Sequence, residues 1–492
     1  MRSLIDRRTA EIAIAFGLCA AWAIWHPLTR LPLGYDEIFT LTVARQSSGA
    51  EVVRALLRGA DNHPPLDYLI RHWFVSVLGV SEWSARLPSV IAFALLLWGL
   101  FRYVRERSGA MEGFTAALLI VPTVLLPLAW QGRSYMLLAA CPVWVFWCHR
   151  WRMEHRLALP GLGLLLAAAP YLHYYGLFLW PPLITAEVVR VCRRRRVDWR
   201  LTGVLFLAGT AVLTLTPFAQ VARSYAGHFY TRNPVLFEIR WVYGDLLTPV
   251  ARVACIPLLV CLLAWLARGR RDKAEATVMP IEEVVAVATL LATPVWVFLL
   301  AKTVTNAYEV RYTMITLVGV AVAAPLLARR IPWLPETLFA ASLAGAGWTL
   351  AETAVSHAGP NPGPARAARL EAVLAESRLP IVVEDRYRLF PAAHYGRREW
   401  HERLYGLYYR ESALKFSGWD TPDLAMKGLA PDFPVRLLDY RDFVARNPRF
   451  FIVFLEKKSR WLMPQLQEDR ARMEPVRFSN GEEGFRVTMA GE

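Results

Sequence analysis

Charge is scarce in this 492-residue chain: only 20% of its residues are Asp, Glu, Lys or Arg, against 55% hydrophobic residues and a mean hydropathy of +0.29. A soluble multidomain protein needs more polar surface than that, so a cytosolic enzyme or binding module is excluded. Sustained alternation of apolar and polar residues is missing too, which excludes a membrane β-barrel. Cysteine is rare, and the six present, at 19, 141, 148, 192, 255 and 261, fall in apolar runs or at their edges, so no disulfide framework is implied. There is no phosphate-binding glycine loop, no calcium or magnesium loop spacing and no repeat of fixed period. Acidic residues are outnumbered, 41 against 56 Lys and Arg, for a net charge of +15 and an isoelectric point near 9.7.

Long apolar runs are what the chain has in abundance. At about 20 residues per crossing of roughly 30 Å of hydrocarbon, hydropathy and charge place about eleven helices. They lie near residues 10–28, 83–101, 113–130, 136–149, 157–172, 176–191, 201–218, 248–266, 282–301, 312–328 and 333–351. From His357 onward 22 Lys and Arg face 19 Asp and Glu, so +12 of the net charge belongs to the apolar part. That excess sits in clusters at every second gap: Arg7 and Arg8, Arg102 to Arg107, Arg150 to Arg156, Arg193 to Arg196, Arg268 to Lys273, and Arg329 with Arg330. This is the positive-inside pattern, and it places the N-terminus and those gaps in the cytoplasm. No basic stripe remains for nucleic acid. The first run also has the outline of a signal peptide with an Ala21-Trp22-Ala23 cleavage site, but its continuation into a regular multi-span pattern favours a retained helix.

The expected organisation is a membrane domain over residues 1–352 with a long amphipathic first outer loop, 29–82, a Gly/Pro linker over 353–364, and a small exported domain over 365–492. In that domain Pro380 to Glu384 and Arg449 to Leu455 read as buried strands, and Ala365 to Ser377 and Trp461 to Met473 as helices, which suggests an α/β sandwich.

An outer loop of about 50 residues is long enough to need a functional explanation. It holds Gly34-Tyr35-Asp36-Glu37 and, further on, Asp61-Asn62-His63-Pro64-Pro65-Leu66-Asp67-Tyr68. Adjacent carboxylates diverge by about 100° on a helix, so Asp36 and Glu37 form no close dyad: Asp36 is the candidate general base and Glu37 its support. The alternative makes Asp36 the N-cap of a helix beginning near Ile38. His63, stiffened by two prolines at the start of a surface helix, can donate to a phosphate oxygen or sugar hydroxyl, or be merely structural. Gln131-Gly132-Arg133-Ser134-Tyr135, His173-Tyr174-Tyr175 and Glu309-Val310-Arg311-Tyr312 fall on the same exported side. Arg133 and Arg311 there run against the positive-inside bias, as phosphate contacts or as arginines that snorkel to headgroups. A proton-accepting carboxylate beside Arg and His donors suits transfer of a group from a lipid-linked phosphate to a hydroxyl.

In this order, the basic N-terminus, Gly34-Tyr-Asp36-Glu37, His63-Pro-Pro-Leu66-Asp-Tyr68, Ser81-Glu-Trp-Ser-Ala-Arg86-Leu-Pro88 and Gln131-Gly-Arg133-Ser-Tyr135 resemble the GT-C membrane glycosyltransferases, in particular the protein O-mannosyltransferase and lipid A aminoarabinose transferase group. The resemblance spans about residues 1–350. It implies a polytopic α-helical, GT-C-like protein of a bacterial inner membrane, with about eleven transmembrane helices and a periplasmic C-terminal α/β domain. It further implies inverting transfer of a sugar from an undecaprenyl-phosphate donor to an envelope glycan, lipid or protein. On this pattern Asp36 and Glu37 are the catalytic pair, and His63, Arg133, Tyr135, Arg311 and Tyr312 meet the donor. His173 and Tyr175 are assigned to the acceptor. The family's Leu-Pro after the late Arg-Tyr pair is replaced by Thr313-Met-Ile. No cofactor or metal is expected, although Asp36, Glu37 and Asp61 offer oxygen ligands for a divalent cation. The competing classes are a transporter or flippase of a lipid-linked glycan, which would need ionisable residues at the midplane, and a scaffold or receptor working through its tail.

Overall fold

The computed structural model describes residues 2–228, 234–268, 279–453 and 460–490; most of the basic cluster expected at Arg268 to Lys273 and the last two residues of the strand expected over 449–455 lie outside these. The chain divides into two compact units.

The first unit, Met1–Leu28, Arg86–Leu215 and Asn233–Ala358, is helical among the described residues. Each of the eleven expected apolar segments coincides with helix, but proline reshapes several. The run expected over 113–130 stops as helix at Ile120, because Pro122 and Pro127 cannot donate to the helical ladder, and resumes only as the short turn Leu125–Leu128. The run expected over 176–191 opens as a 3-10 turn, Tyr174–Leu179, and becomes the α-helix Trp180–Arg194 with Pro181 and Pro182 in its first turn, where proline is tolerated. Among the described residues Glu82–Ser108, Glu238–Leu263 and Leu334–Ser356 are long and apolar enough to cross a membrane, and two bent helix pairs bring the total to five. Ala110–Ile120, Ala158–Leu172 and Thr316–Ala328 are shorter apolar helices.

The ends of these helices segregate by chemistry. Ion pairs tie one set of ends together: Arg107 to Glu283, Arg152 to Glu187 at 3.1 Å and to Asp198 at 3.3 Å, and Arg329 to Glu112 at 3.5 Å. With Arg193 and Arg194 on Glu282, the basic gaps near Arg107, Arg152, Arg193 and Arg329 therefore share ion-paired helix ends. Close helix contact depends on a small residue at Gly99, where a Cβ would lie 2.6 Å from Val143 Cγ1 and 3.1 Å from the Trp144 indole.

The second unit comprises Thr29–Ala85, Thr216–Arg232 and Gly359–Glu492. Its sheet runs β3-β2-β1-β4-β6-β5, with β1 Ile381–Val383, β2 Leu404–Tyr408, β3 Arg436–Asp439, β4 Arg449–Val453, β5 Arg472–Arg477 and β6 Glu483–Thr488. β1 to β4 are parallel, and β6 is antiparallel to both β4 and β5. Period-two alternation assigns the faces. Val382, Phe450 and Ile452 pack with Tyr440, Phe443 and Leu466, whereas Ile381, Val383, Phe451 and Val453 share a core with Leu370, Val373 and Phe390.

That second core also contains Leu33, Ile38, Phe39, Leu41, Val52 and Tyr68 from the first outer loop. Phe39 stacks on Phe390 at 5.6 Å and 10°, and the Leu33 N–H donates to the Tyr395 hydroxyl at 2.8 Å. Burial pushes that phenol up to about 12, so it stays protonated at neutral pH. Residues 29–85 thus fold as part of one unit with the tail.

The helix expected over Trp461 to Met473 is only Leu462–Glu468. Arg470 takes a left-handed φ of 54° and reverses the chain into β5. The β5–β6 turn, Ser479-Asn480-Gly481-Glu482, has Gly481 at φ 83°, the left-handed conformation glycine adopts without a Cβ penalty.

Burial holds the imidazoles of His394 and His401 below their ordinary value of 6.5; Glu82 opposes this at His394, and nearby arginines act with burial at both. Both protonate more readily in the unfolded chain, so stability is full above pH 6.5 and falls as pH drops below it. Thermal unfolding should therefore show a midpoint that declines from neutral to mildly acidic pH, and His394→Gln should flatten part of the decline. An unchanged slope in that variant would remove His394 from the account.

Candidate functional site

At the end of the first unit opposite the ion-paired basic ends, four separate segments meet. The helix Ala158–Leu172 stops at His173, whose extended backbone (φ −161°) turns the chain into Tyr174–Leu179, and its Nδ1 accepts from the Tyr175 N–H at 3.2 Å. This turn needs Gly176: a Cβ there would lie 2.3 Å from the carbonyl carbon and oxygen of Ala169. Gly176→Ala is accordingly expected to lower the thermal unfolding temperature and displace His173 and Tyr175, and unchanged stability would contradict the close approach.

Around that turn the aromatic rings form a stack. Tyr175 lies on Tyr312 at 4.6 Å and 14°, and His173 lies 5.2 Å from Tyr175, 5.6 Å from Tyr312 and 5.5 Å from Tyr135. The Tyr175 hydroxyl donates to the Ala307 carbonyl at 2.9 Å. Arg311 places its guanidinium carbon 5.6 Å from the Tyr135 ring and 5.4 Å from the Tyr312 ring, within cation–π range. Tyr135, His173, Tyr175, Arg311 and Tyr312 are thus brought together.

Arg133 follows from the same local fold. Its backbone N–H donates to the Gln131 carbonyl at 2.8 Å, and the Ser89 hydroxyl donates to that carbonyl at 2.6 Å, bracing the turn before the helix Tyr135–Trp151. Arg133 is 8% exposed, so it is not a headgroup-snorkelling side chain.

In the second unit Asp36 is exposed in the first turn of the helix Tyr35–Ala44. Gly34 is the N-cap, not Asp36, which corrects the capping alternative. Glu37 reaches back: its Oε2 accepts from the Gly34 N–H at 2.9 Å, as in a capping box. The two carboxylates therefore diverge, one outward and one into the cap. His63 precedes the helix Leu66–Leu78, whose N-cap is Pro65. Asp61 organises this loop, with one oxygen 2.9 Å from His63 Nδ1 and the other accepting from the Tyr68 hydroxyl at 2.6 Å.

Other motif residues prove to be scaffold. Asp67 accepts from the buried Arg71 at 3.0 Å, and Arg71 also donates to the Ala85 carbonyl. Arg86 is fully buried and donates to the Pro27 carbonyl at 3.0 Å, satisfying an orphan acceptor in the last turn of the helix Arg2–Arg30.

Sequence reasoning missed the tail's share of this unit. Arg386 lies 5.6 Å from the Tyr35 ring and 5.7 Å from the Trp419 ring, and Arg460 lies 4.7 Å from Trp419 while donating to the buried Asp423 at 3.2 Å. Burial raises the Asp423 carboxyl, against the pull of Arg460. A crevice beyond the carboxyl end of β1, lined by Glu384, Arg386, Leu407, Met426 and Arg460 among others, marks the point where the order of the parallel strands reverses. In the sequence, the Pro380 to Glu384 strand and the start of the Trp461 to Met473 helix pointed to this place. Among the described residues no three His, Cys, Asp or Glu side chains are grouped to hold a metal ion.

Comparison with known proteins follows the same lines. A family model described as dolichyl-phosphate-mannose-protein mannosyltransferase matches residues 62–220. No curated protein sequence matches the chain. Among solved structures, the crystal structure of ArnT from Cupriavidus metallidurans bound to undecaprenyl phosphate aligns with a TM-score of 0.57 at 15% identity, covering 97% of this chain and 98% of that one. The apo state of the same protein aligns with a TM-score of 0.56 at 14% identity, over 99% and 98% of the two chains. The chain has a helical, ArnT-like fold with a small sheet over nearly its whole length and matches the mannosyltransferase model over residues 62–220, so the resemblance to the GT-C glycosyltransferases read from its motifs holds.

Proposed function

We propose that this protein is a membrane glycosyltransferase that moves a sugar from undecaprenyl phosphate to a hydroxyl of an envelope glycan, lipid or protein. The observation that carries the reading is the end-to-end likeness to ArnT, a protein seen with undecaprenyl phosphate bound, in a chain that gathers Arg311, Tyr135, His173, Tyr175 and Tyr312 at one end of its helices. On this reading the membrane is the bacterial inner membrane, crossed about eleven times. Residues 1–352 form the transferase part and 353–364 the linker. The N-terminus is cytoplasmic, and residues 365–492 with the first outer loop are periplasmic.

The chemistry is a single displacement. The acceptor oxygen forms a bond to the anomeric carbon, the bond from that carbon to the phosphate oxygen breaks, and the configuration inverts. Asp36 takes the acceptor proton. The phosphate leaves with the bonding pair, and Arg133 and Arg311 balance its growing charge. The rings of Tyr135 and Tyr312 hold the Arg311 fork in place, and the buried rings of His173 and Tyr175 back that stack. A flippase is less well supported, because among the described residues the ion pairs of Arg107, Arg152 and Arg329 in the first unit lie at helix ends.

Purified full-length protein in nanodiscs, given radiolabelled undecaprenyl-phosphate sugars and an envelope extract, tests the reading. Label should move to an acceptor fraction, and binding of every donor without transfer would favour lipid-linked glycan transport.

A further inference from the structure

In the second unit the chain passes from β1 to β2 and β3 on one side of the sheet and then returns to β4 on the other side of β1. The helix after β1, Arg386–Tyr395, covers one face of the sheet through Leu389 and Phe390, and the helix after β4, Leu462–Glu468, covers the other through Leu462 and Leu466. The two connections part in opposite directions, which leaves a crevice beyond the carboxyl ends of β1 and β4, the place where open α/β sheets bind ligands. Its walls come from both connections: Glu384 and Arg386 follow β1, Arg460 follows β4, and Leu407 and Met426 belong to the apolar part.

The charged groups lining it are the guanidinium groups of Arg386 and Arg460 and the carboxylate of Glu384. The two arginines are held on one indole, with Arg386 5.7 Å and Arg460 4.7 Å from the Trp419 ring. Arg460 is fixed further by Asp423, which accepts from it at 3.2 Å, and only 15% of its side chain is exposed. Asp423 is buried, also accepts from the Tyr409 N–H at 3.2 Å and does not line the crevice, so it anchors Arg460 from behind.

Arg386 belongs to a second neighbourhood as well. Its guanidinium carbon lies 5.6 Å from the Tyr35 ring, and Tyr35 packs on Tyr387 at 5.3 Å and on Phe390 at 4.7 Å. The helix that opens with Arg386 and the helix that opens with Tyr35 and Asp36 therefore meet at their first turns. One guanidinium group is shared between the crevice and the Gly34 to Glu37 motif.

We propose that this crevice binds the acid group of an anionic saccharide, taken by Arg386 and Arg460 while Glu384 accepts from a neighbouring sugar hydroxyl, and that it seats the acceptor on the side of Asp36. The lining selects this class. Guanidinium forks match the oxygens of a phosphate or a carboxylate, and a carboxylate beside them accepts from hydroxyls. A neutral sugar brings no charge for the two arginines, and a bare carboxylate such as acetate meets Glu384 with no hydroxyl to donate. Binding stands on the crevice alone, whereas the acceptor role rests on the sugar-transfer reading of Asp36.

The test is a saturation-transfer NMR titration of the purified full chain in nanodiscs with glucose 6-phosphate, glucuronate, glucose and acetate. One or both sugar acids should bind, the tighter of the two naming the acid group, with glucose and acetate at least about tenfold weaker. Arg386→Gln should weaken the preferred sugar acid about tenfold or more. Arg460→Lys, which keeps a cation for the buried Asp423 but loses the fork, should weaken it less. Sugar acids that bind no better than glucose or acetate overturn the site on the wild type alone, even where a variant fails to fold. Undiminished binding in a folded Arg386→Gln protein does the same. In transfer to an envelope extract, Arg386→Gln should raise the extract needed for half-maximal transfer by about tenfold and leave the donor dependence as it was. A shift in donor dependence alone overturns the acceptor role. Sugar-acid binding that is lost in Arg386→Gln, in a protein that transfers from no donor, supports the site and sinks the transfer reading.

Discussion

Asp36→Asn should lower the turnover of lipid-phosphosugar transfer by roughly 10²–10⁴-fold, the range general base catalysis supplies, while the protein remains folded. The amide keeps the carboxylate's shape and removes the proton acceptor. Asp36 is exposed in the first turn of its helix, and the cap is formed by Gly34 and Glu37. Single-turnover transfer at saturating donor separates the chemical step from binding. Near-normal turnover in a folded Asp36→Asn protein would sink the assignment. Glu37→Gln provides the contrast: a neutral amide oxygen still accepts from the Gly34 N–H, so it should lose part of the cap's strength and little of the chemical rate.

Arg133→Ala should raise the apparent donor requirement by roughly 10- to 100-fold, the equivalent of about 1.5–3 kcal/mol for one charge-assisted hydrogen bond. Its burial at the start of the helix Tyr135–Trp151 makes it a fixed group rather than a searching one. The effect should appear in the donor dependence of the rate more than in the maximal rate, and Arg133→Lys should restore only part of it because an ammonium lacks the fork. A variant of unchanged stability and unchanged donor dependence would count against the phosphate contact.

Legibility in the sequence followed the range of the forces involved. Helix positions were readable because lipid-sized apolar runs are a property of consecutive residues, and their breaks at Pro122, Pro127 and Pro181 are equally local. The β5–β6 hairpin was legible and overlooked, since Asn480-Gly481 between two extended segments is a turn signal. Tyr135, His173, Tyr175, Arg311 and Tyr312 could be nominated one by one from their places at helix ends. Their stacking could not, because ring contacts between residues as far apart as 135 and 312 depend on packing. Asp61 stood in the sequence only as a possible metal ligand, and its hold on both His63 and Tyr68 comes from the curvature of one loop.

By itself the sequence determined that this is a membrane protein, which gaps share a charge and where apolar segments begin and end, because each of these depends on residues adjacent in the chain. Tertiary structure alone decided which polar groups meet and which are spoken for. Glu37 is engaged by a cap, Arg86 by the Pro27 carbonyl and Arg71 by Asp67, whereas Arg311 rests on two aromatic rings. It also decided that residues 29–85 share a core with the tail, through Phe39 on Phe390 and Leu33 on Tyr395. Apolar burial is non-directional, so a hydrophobic pattern says that a face will be covered and leaves open which distant segment covers it.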